Sequence, residues 1–302
     1  MFRAPLPSAD GKQLFVLGTQ RRIQLVHYDT RSQRLTPFLG GLSGGELEVS
    51  PGGQWVTYTT FPEFTLWRSK LDGSERLQLT FPPINAHEPR WSPDGKQILF
   101  EDFPHKIYVV SADGGSSRPL MPEDHPDDLI GAGAWLPDGS SIIFSRVRGC
   151  TFFDEPCLRQ AAAIYHLDLK TQQISKLPDS DGLFSARLSR DGRYLTALPG
   201  DRNTVMLYDL QTERWSELVQ DYGSIAWSHD SKSVYLIRRR EDQSAELVRI
   251  SVPDGKTERV LDLKDATLGG FWDWVSLLPD DSALLMLDKS TQEIYRLDLQ
   301  YR

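Results

Sequence analysis

The sequence predicts an all-β protein, a seven-bladed β-propeller of four-stranded antiparallel blades whose last blade is three-stranded. Three observations predict it. A short turn signature recurs at Ser8, Ser50, Ser92, Leu136, Ser189, Ser228 and Leu278, spaced as propeller blades are. An alternating apolar run follows every copy. Further strand patterns then fill each period.

The turn has a mechanical basis. Its clearest copies read Ser92-Pro93-Asp94-Gly95-Lys96 and Leu136-Pro137-Asp138-Gly139. Proline presets the second turn position, Asp tolerates the third, and Gly takes the left-handed conformation that lets a hairpin continue. A side chain at that last position costs about 1 kcal/mol or more. The copies carrying Ser231 and Asp281 there are therefore expected to be looser.

Second strands follow. Six residues beyond the anchors stand Leu14, Val56, Ile98, Ile142, Leu195, Val234 and Leu284; eight beyond stand Val16, Tyr58, Phe100, Phe144, Ala197, Leu236 and Met286. All are apolar, and a period of two at fixed phase means a strand with one buried face. Third strands start apolar-aromatic and usually end in Asp, as in Ile107-Tyr108-Val109-Val110, Ile164–Asp168 and Ile294–Asp298, with looser versions at Leu25–Asp29, Leu66–Asp72, Val205–Asp209 and Leu247–Ile250. Fourth strands read Glu75–Thr80, Gln173–Leu177 and Glu258–Leu261. Just before the anchors, Trp91, Trp135, Leu188 and Trp227 are expected to fill the space between neighbouring blades.

Composition fits a single domain over residues 1–302. The chain is 39% hydrophobic and 25% charged, with no long helical period or low-complexity tract. No apolar stretch approaches the 18 or so residues of a membrane span, and Met1-Phe2-Arg3-Ala4-Pro5 lacks the apolar core of a secretion signal. The expected location is the cytoplasm, or the periplasm if an upstream anchor or signal exists. About seven residues precede the first anchor, and the chain stops after the last third strand. The expectation is a ring closed without full strand exchange, in a chain that derives from a longer parent.

Cys150 and Cys157 flank Thr151–Pro156 within the longest connection, roughly 146–160. They are either a loop disulfide or two reduced thiols, and two thiols alone do not make a metal site. The net charge of −8 argues against direct nucleic-acid binding. Arg238-Arg239-Arg240, the one basic run, is followed at once by Glu241-Asp242 and reads as a solvated strand end.

The Trp-Ser-Pro-Asp-Gly-Lys repeat, its apolar run and the Ile-Tyr-x-x-Asp strand resemble the repeats of TolB-type propellers over essentially the whole chain. Leu66-Trp67-Arg68-Ser69, Arg76–Pro83, Gly182-Leu183-Phe184-Ser185 and Gln292-Glu293-Ile294-Tyr295 resemble one branch still more closely. In that branch the propeller is the C-terminal, sensor-like half of bacterial proteins whose other half is a winged-helix DNA-binding domain or a protein kinase. The resemblance implies binding or sensing, with the effector half elsewhere. A repeat motif specifies blades, not ligands.

Two enzyme readings compete. Gly41-Leu42-Ser43-Gly44-Gly45 matches a serine-hydrolase pattern, but that pattern needs a strand-turn-helix setting inside an α/β domain, for which no length remains. His87, His105 and His125 lie on loops or strand starts of one rim and could converge on a metal ion, as in a metal-dependent lyase or hydrolase.

The favoured reading is a monomeric, non-catalytic, cofactor-free interaction or sensory scaffold. Its acidic rim carries Glu63, Asp102, Glu123, Asp124, Asp127, Asp128, Asp179, Asp181, Asp201, Asp221 and Asp265. At the channel mouth the innermost strands contribute Glu46, Glu48, Glu88, Arg90, Arg187, Asp273 and Trp274, a set suited to a protein or peptide partner. With His87, His105 and His125 these form the candidate site.

Overall fold

The computed structural model of the chain describes residues 2–102, 106–121, 128–149, 154–242, 244–269 and 273–299. They form seven antiparallel sheets, consistent with a propeller. Sheet I runs outward as Gly44–Val49, Trp55–Thr60, Leu66–Lys70 and Leu77–Gln78. Sheet II is Ala86–Trp91, Gln97–Asp102, Lys106–Ser111 and Arg118–Pro119; sheet III is Asp128–Trp135, Ser141–Arg148, Ala162–Asp168 and Ile174–Lys176. Sheet IV is Leu183–Leu188, Tyr194–Pro199, Val205–Asp209 and Arg214–Val219; sheet V is Ile225–Trp227, Ser233–Arg239, Ala245–Ser251 and Thr257–Asp262.

Sheet VI departs from the regular order. Its two inner strands, Val275–Leu277 and Ala283–Asp288, come from the end of the chain, and its two outer strands, Ile23–Asp29 and Arg34–Pro37, from the beginning. The innermost strands of sheets I to VI touch in sequence, and that of sheet VI returns to that of sheet I. The remaining strands, Phe2–Pro7, Gln13–Gln20 and Thr291–Asp298, form a three-stranded sheet VII that packs chiefly within itself.

This differs from the expected arrangement in two ways. The last repeat does not end as a three-stranded blade, because Ala283–Asp288 pairs with Ile23–Asp29 rather than with Thr291–Asp298. The first anchor hairpin takes Thr291–Asp298 instead. Strand exchange between the chain's two ends therefore does occur.

Burial explains the choice. Ile23, Leu25, Val26 and Tyr28 are all buried, whereas every residue of Thr291–Asp298 is exposed. Both segments alternate and end in Asp, but the first offers more apolar side chains on both faces and joins two cores, Leu25 with Leu284 and Val26 with Leu285. Sheet VII is left with exposed Leu6, Phe15, Ile294, Tyr295 and Leu297.

The anchor turns adopt the expected geometry. Gly11, Gly53, Gly95, Gly139 and Gly192 have φ between 69° and 73°. Ser231 and Asp281 take the same conformation (φ 59° and 61°) and keep the same closing hydrogen bond. They are not looser, because their side chains tie neighbouring turns together. Ser231 Oγ accepts from the Asp191 N–H at 3.1 Å, and the Asp281 carboxylate accepts from the His229 N–H at 2.9 Å. These bonds offset the left-handed strain.

The tryptophans before the anchors act as staples between sheets as well as filler. The indole N–H of Trp91 donates to Glu48 O, that of Trp135 to Arg90 O, and that of Trp227 to Arg187 O, at 3.0–3.2 Å. The hydrolase-like Gly41–Gly45 stretch leads into a strand, not a helix. Its last glycines permit close packing instead: a Cβ on Gly45 would stand 2.4 Å from Met286 Sδ, and one on Gly44 2.6 Å from Thr59 O.

The long connection expected at 146–160 holds the one α-helix among the described residues, Glu155–Ala161. Asp154 caps it by accepting from the Cys157 N–H, and Leu158 anchors it in the core. Cys157 is disulfide-bonded; Cys150, the only other cysteine of the sequence, lies outside the described residues. No described helix is long and apolar enough to cross a membrane.

The exchange can be tested by truncation. Leu25→Ala, at 0% exposure, is expected to destabilise by about 2–5 kcal/mol. Ile294→Ala, at 75% exposure, is expected to stay within about 0.5 kcal/mol of wild type. Urea unfolding measures both, and a reversed order would mean that Thr291–Asp298 occupies the inner position.

Candidate functional site: the central cavity

A cavity of about 480 Å³ is lined by the innermost strands of sheets I to VI. The repeat fixes its lining. Two residues before each anchor stand Glu48, Arg90, Ala134, Arg187, Ala226 and Ser276, and all six line the cavity. One residue after the anchor stand Pro51, Pro93, Pro137, Arg190 and His229, which line it too. Two guanidiniums and one carboxylate thus share a layer with three small residues.

A bulge interrupts the innermost strands of sheets I, II and IV just before this layer. Glu46, Glu88 and Ser185 take left-handed φ values of 52°, 48° and 56° there. Bulges of this kind re-aim side chains at the cost of local strain. Glu46 is held across the sheet boundary, its carboxylate accepting from the Glu88 N–H at 2.9 Å and lying 3.0 Å from His87 Nδ1. The His87 ring also packs on Phe64, 4.8 Å between centroids.

Glu88 Oε2 accepts from Arg187 at 2.7 Å and from Arg90 at 3.4 Å. The same guanidiniums donate to the Ala186 and Pro89 carbonyls. They lie 6.0 and 5.2 Å from the Trp274 ring centroid, in reach of a cation–π attraction. Trp274 is 5% exposed, and its indole N–H has no hydrogen-bond partner among the described residues. Leaving such a donor unpaired costs about 1–3 kcal/mol.

The charges respond to this setting. Burial raises the pKa of Glu48 above its ordinary value, against the pull of Arg90, the Trp91 N–H, Arg190 and Arg187. Burial would do the same to Glu88, but Arg187 and Arg90 outweigh it and hold that carboxyl below its usual range. Burial lowers Arg187, opposed by Glu88. For His87 burial is outweighed by Glu46, Glu88 and Asp102, so its pKa is raised.

Of the candidate residues, Glu46, Glu48, His87, Glu88, Arg90, Arg187 and Trp274 come together. Asp273 does not join them, because it forms a two-bond ion pair with Arg239 at 2.6 and 2.7 Å. His105 and His125 lie outside the described residues, and no described cluster of three His, Cys, Asp or Glu could hold a metal ion. Several rim acids have partners: Asp128 with Arg146, Asp181 with Lys176, Asp201 with Arg159, Asp221 with Arg238. Glu123, Asp124 and Asp127 lie outside the described residues.

The basic run does end a strand and stays about a third to a half exposed, but each of its arginines is ion-paired. Arg238 pairs with Glu246 and Asp221, Arg239 with Asp273, and Arg240 with Glu246 and Asp262. Arg190 escaped the sequence reading. Its signal was the anchor Ser189-Arg190-Asp191-Gly192, which carries Arg where four copies carry Pro and so points a cation at the cavity.

No family model matches the chain. Over 175 residues it is 31% identical to an uncharacterized peptidase, YuxL, of Bacillus subtilis, covering 55% of this chain and 23% of that protein. Over 156 residues it is 24% identical to an uncharacterized protein, Atu1656, of Agrobacterium fabrum, covering 46% of this chain and 53% of the other. The chain spans about half or less of the length of these relatives.

Similar solved structures are TolB-like β-propellers and other propeller-like proteins. A TolB-type protein of Agrobacterium tumefaciens matches with a TM-score of 0.67 at 16% identity, over 93% of this chain and all of that one. TolB of Acinetobacter baumannii gives 0.58 at 16% identity, over 96% and 79%. An oligogalacturonate lyase in complex with manganese gives 0.56 at 12% identity, over 95% and 96%. At these identities the likeness is one of fold.

The His87–Glu46 contact predicts a pH effect. With the native pKa raised above 6.5, protonated His87 stabilises the fold fully below that value, and the contribution fades as pH rises through the native pKa. The stability gap between wild type and His87→Gln, read from urea midpoints, is expected to be largest near pH 6 or below and to shrink towards about pH 8. A gap that is flat over that range, or that widens, would contradict the assignment.

Proposed function

We propose that this protein is a non-catalytic binding or sensory propeller whose ligand enters the central cavity. Sheets I to VI form the working ring as six blades, and sheet VII is an appendage to it. One observation carries the reading: each of the six blades contributes to the lining of a single 480 Å³ cavity, a volume typical of small-ligand sites.

The chemistry of the lining supports binding rather than turnover. Arg187 and Arg90 are committed to Glu88, and His87 to Glu46. Buried ion pairs of this kind orient a site and resist rearrangement. The lining also includes four indoles: Trp135 is half-buried, and Trp91, Trp227 and Trp274, buried between the sheets, offer the cavity only a small part of their surface. The relation to a much longer peptidase supports a module that serves a larger protein, with the output carried elsewhere.

The test is to close the cavity without disturbing the ion pairs. Ala226 lines the cavity, so Ala226→Trp fills part of it with an indole. A ligand library screened by thermal shift is expected to give compounds that raise the melting temperature of wild type by about 3 °C or more at saturating concentration and leave the filled variant unmoved. Compounds that stabilise both proteins equally would place the site elsewhere. Turnover of ester or glycoside substrates that is lost in His87→Ala would replace the binding reading with an enzymatic one.

A further inference from the structure

The cavity inverts the charge of the molecule around it. The chain carries a net −8, yet Arg90, Arg187 and Arg190 line the cavity against one carboxylate, Glu48. Glu46 is absent from the lining, and Glu88, also absent from it, is shared by Arg187 and Arg90, so three guanidiniums stand against two carboxylates. Arg187 and Arg90 each use two hydrogen bonds within the protein, out of the five donors of a guanidinium. Arg190 is exposed and forms no ion pair among the described residues. The buried Trp274 N–H is a further donor without an acceptor among them.

An anion would meet these donors together. Carboxylate suits them because its two oxygens match the guanidinium fork and because it carries a single charge, so that the nearby Glu48 repels it less than a dianionic phosphate. The rest of the lining asks for an apolar body. Half-buried Trp135, the small exposed parts of Trp91 and Trp227, and Pro51, Pro93 and Pro137 share the lining with the arginines. Guanidinium and indole together hold such a molecule by charge at one end and by area at the other.

We propose that the central cavity binds a small organic carboxylate, with its anionic group on Arg90, Arg187 and Arg190 and its apolar body against Trp91, Trp135 and Trp227. This rests on the cavity being the binding site. The ligand class follows from the lining alone.

Calorimetric titration tests it with 4-phenylbutyrate, 3-indolepropionate and hexanoate, each beside its amide, and with phenyl phosphate. At least one carboxylate is expected to bind, with its amide at least about tenfold weaker and the affinity falling as salt rises. Arg190→Gln, at an exposed position, is expected to weaken it about tenfold without unfolding the protein. Trp274→Phe keeps the ring, removes the donor, and is expected to weaken it severalfold. No binding by folded protein, equal binding of the amides, preference for phenyl phosphate, or indifference to Arg190→Gln would each overturn the proposal. A neutral ligand excluded by Ala226→Trp would overturn the carboxylate and leave the cavity as the site.

Discussion

Ring closure is the constraint on which the rest depends. Six sheets can enclose a cavity only if the first and last are held together, and here the joint is a sheet built from both ends of the chain. Leu284 and Leu285, near the C-terminus, lie in one ladder with Leu25, Val26 and His27, near the N-terminus. Packing continues from there into sheet I, where Gly45 lets Met286 approach. The side chains two before the anchors from Ser50 to Leu278 then converge on a single space, joined by Pro51, Pro93, Pro137, Arg190 and His229.

Much of this was legible because the repeat is strict. The turn signature and the fixed phase of the apolar run place the second strands and their buried faces, and residues such as Val56, Ile98, Ile142 and Val234 are fully buried as that phase requires. Partnership between distant strands was not legible. Ile23–Asp29 and Thr291–Asp298 share one local pattern, and local pattern carries no address for a partner some 260 residues away. Burial settles the choice, and burial is a property of the assembled ring. The helix Glu155–Ala161 escaped for a related reason, since a single capped turn or two within a loop has no period to detect.

The candidate site divides in the same way. Positions near the channel could be read from the anchor frame, so Glu48, Arg90, Arg187 and Trp274 were found. Pairing could not be read. Asp273 shares its strand end with Trp274 but is drawn to Arg239, and the triple-arginine run dissolves into separate ion pairs with Glu246, Asp221, Asp262 and Asp273. The sign of the cavity therefore differs from the sign of the rim. Counting charges along the chain gives an acidic surface, whereas sorting them by partner leaves a basic interior.

Hydrogen exchange followed by mass spectrometry tests the closure most directly. Peptides covering Ile23–Asp29, inside the ring, are expected to exchange only with global unfolding, while those covering Thr291–Asp298, in the exposed sheet VII, are expected to exchange orders of magnitude faster. Protection of Thr291–Asp298 with rapid exchange of Ile23–Asp29 would contradict the exchanged sheet and the six-sheet cavity built on it.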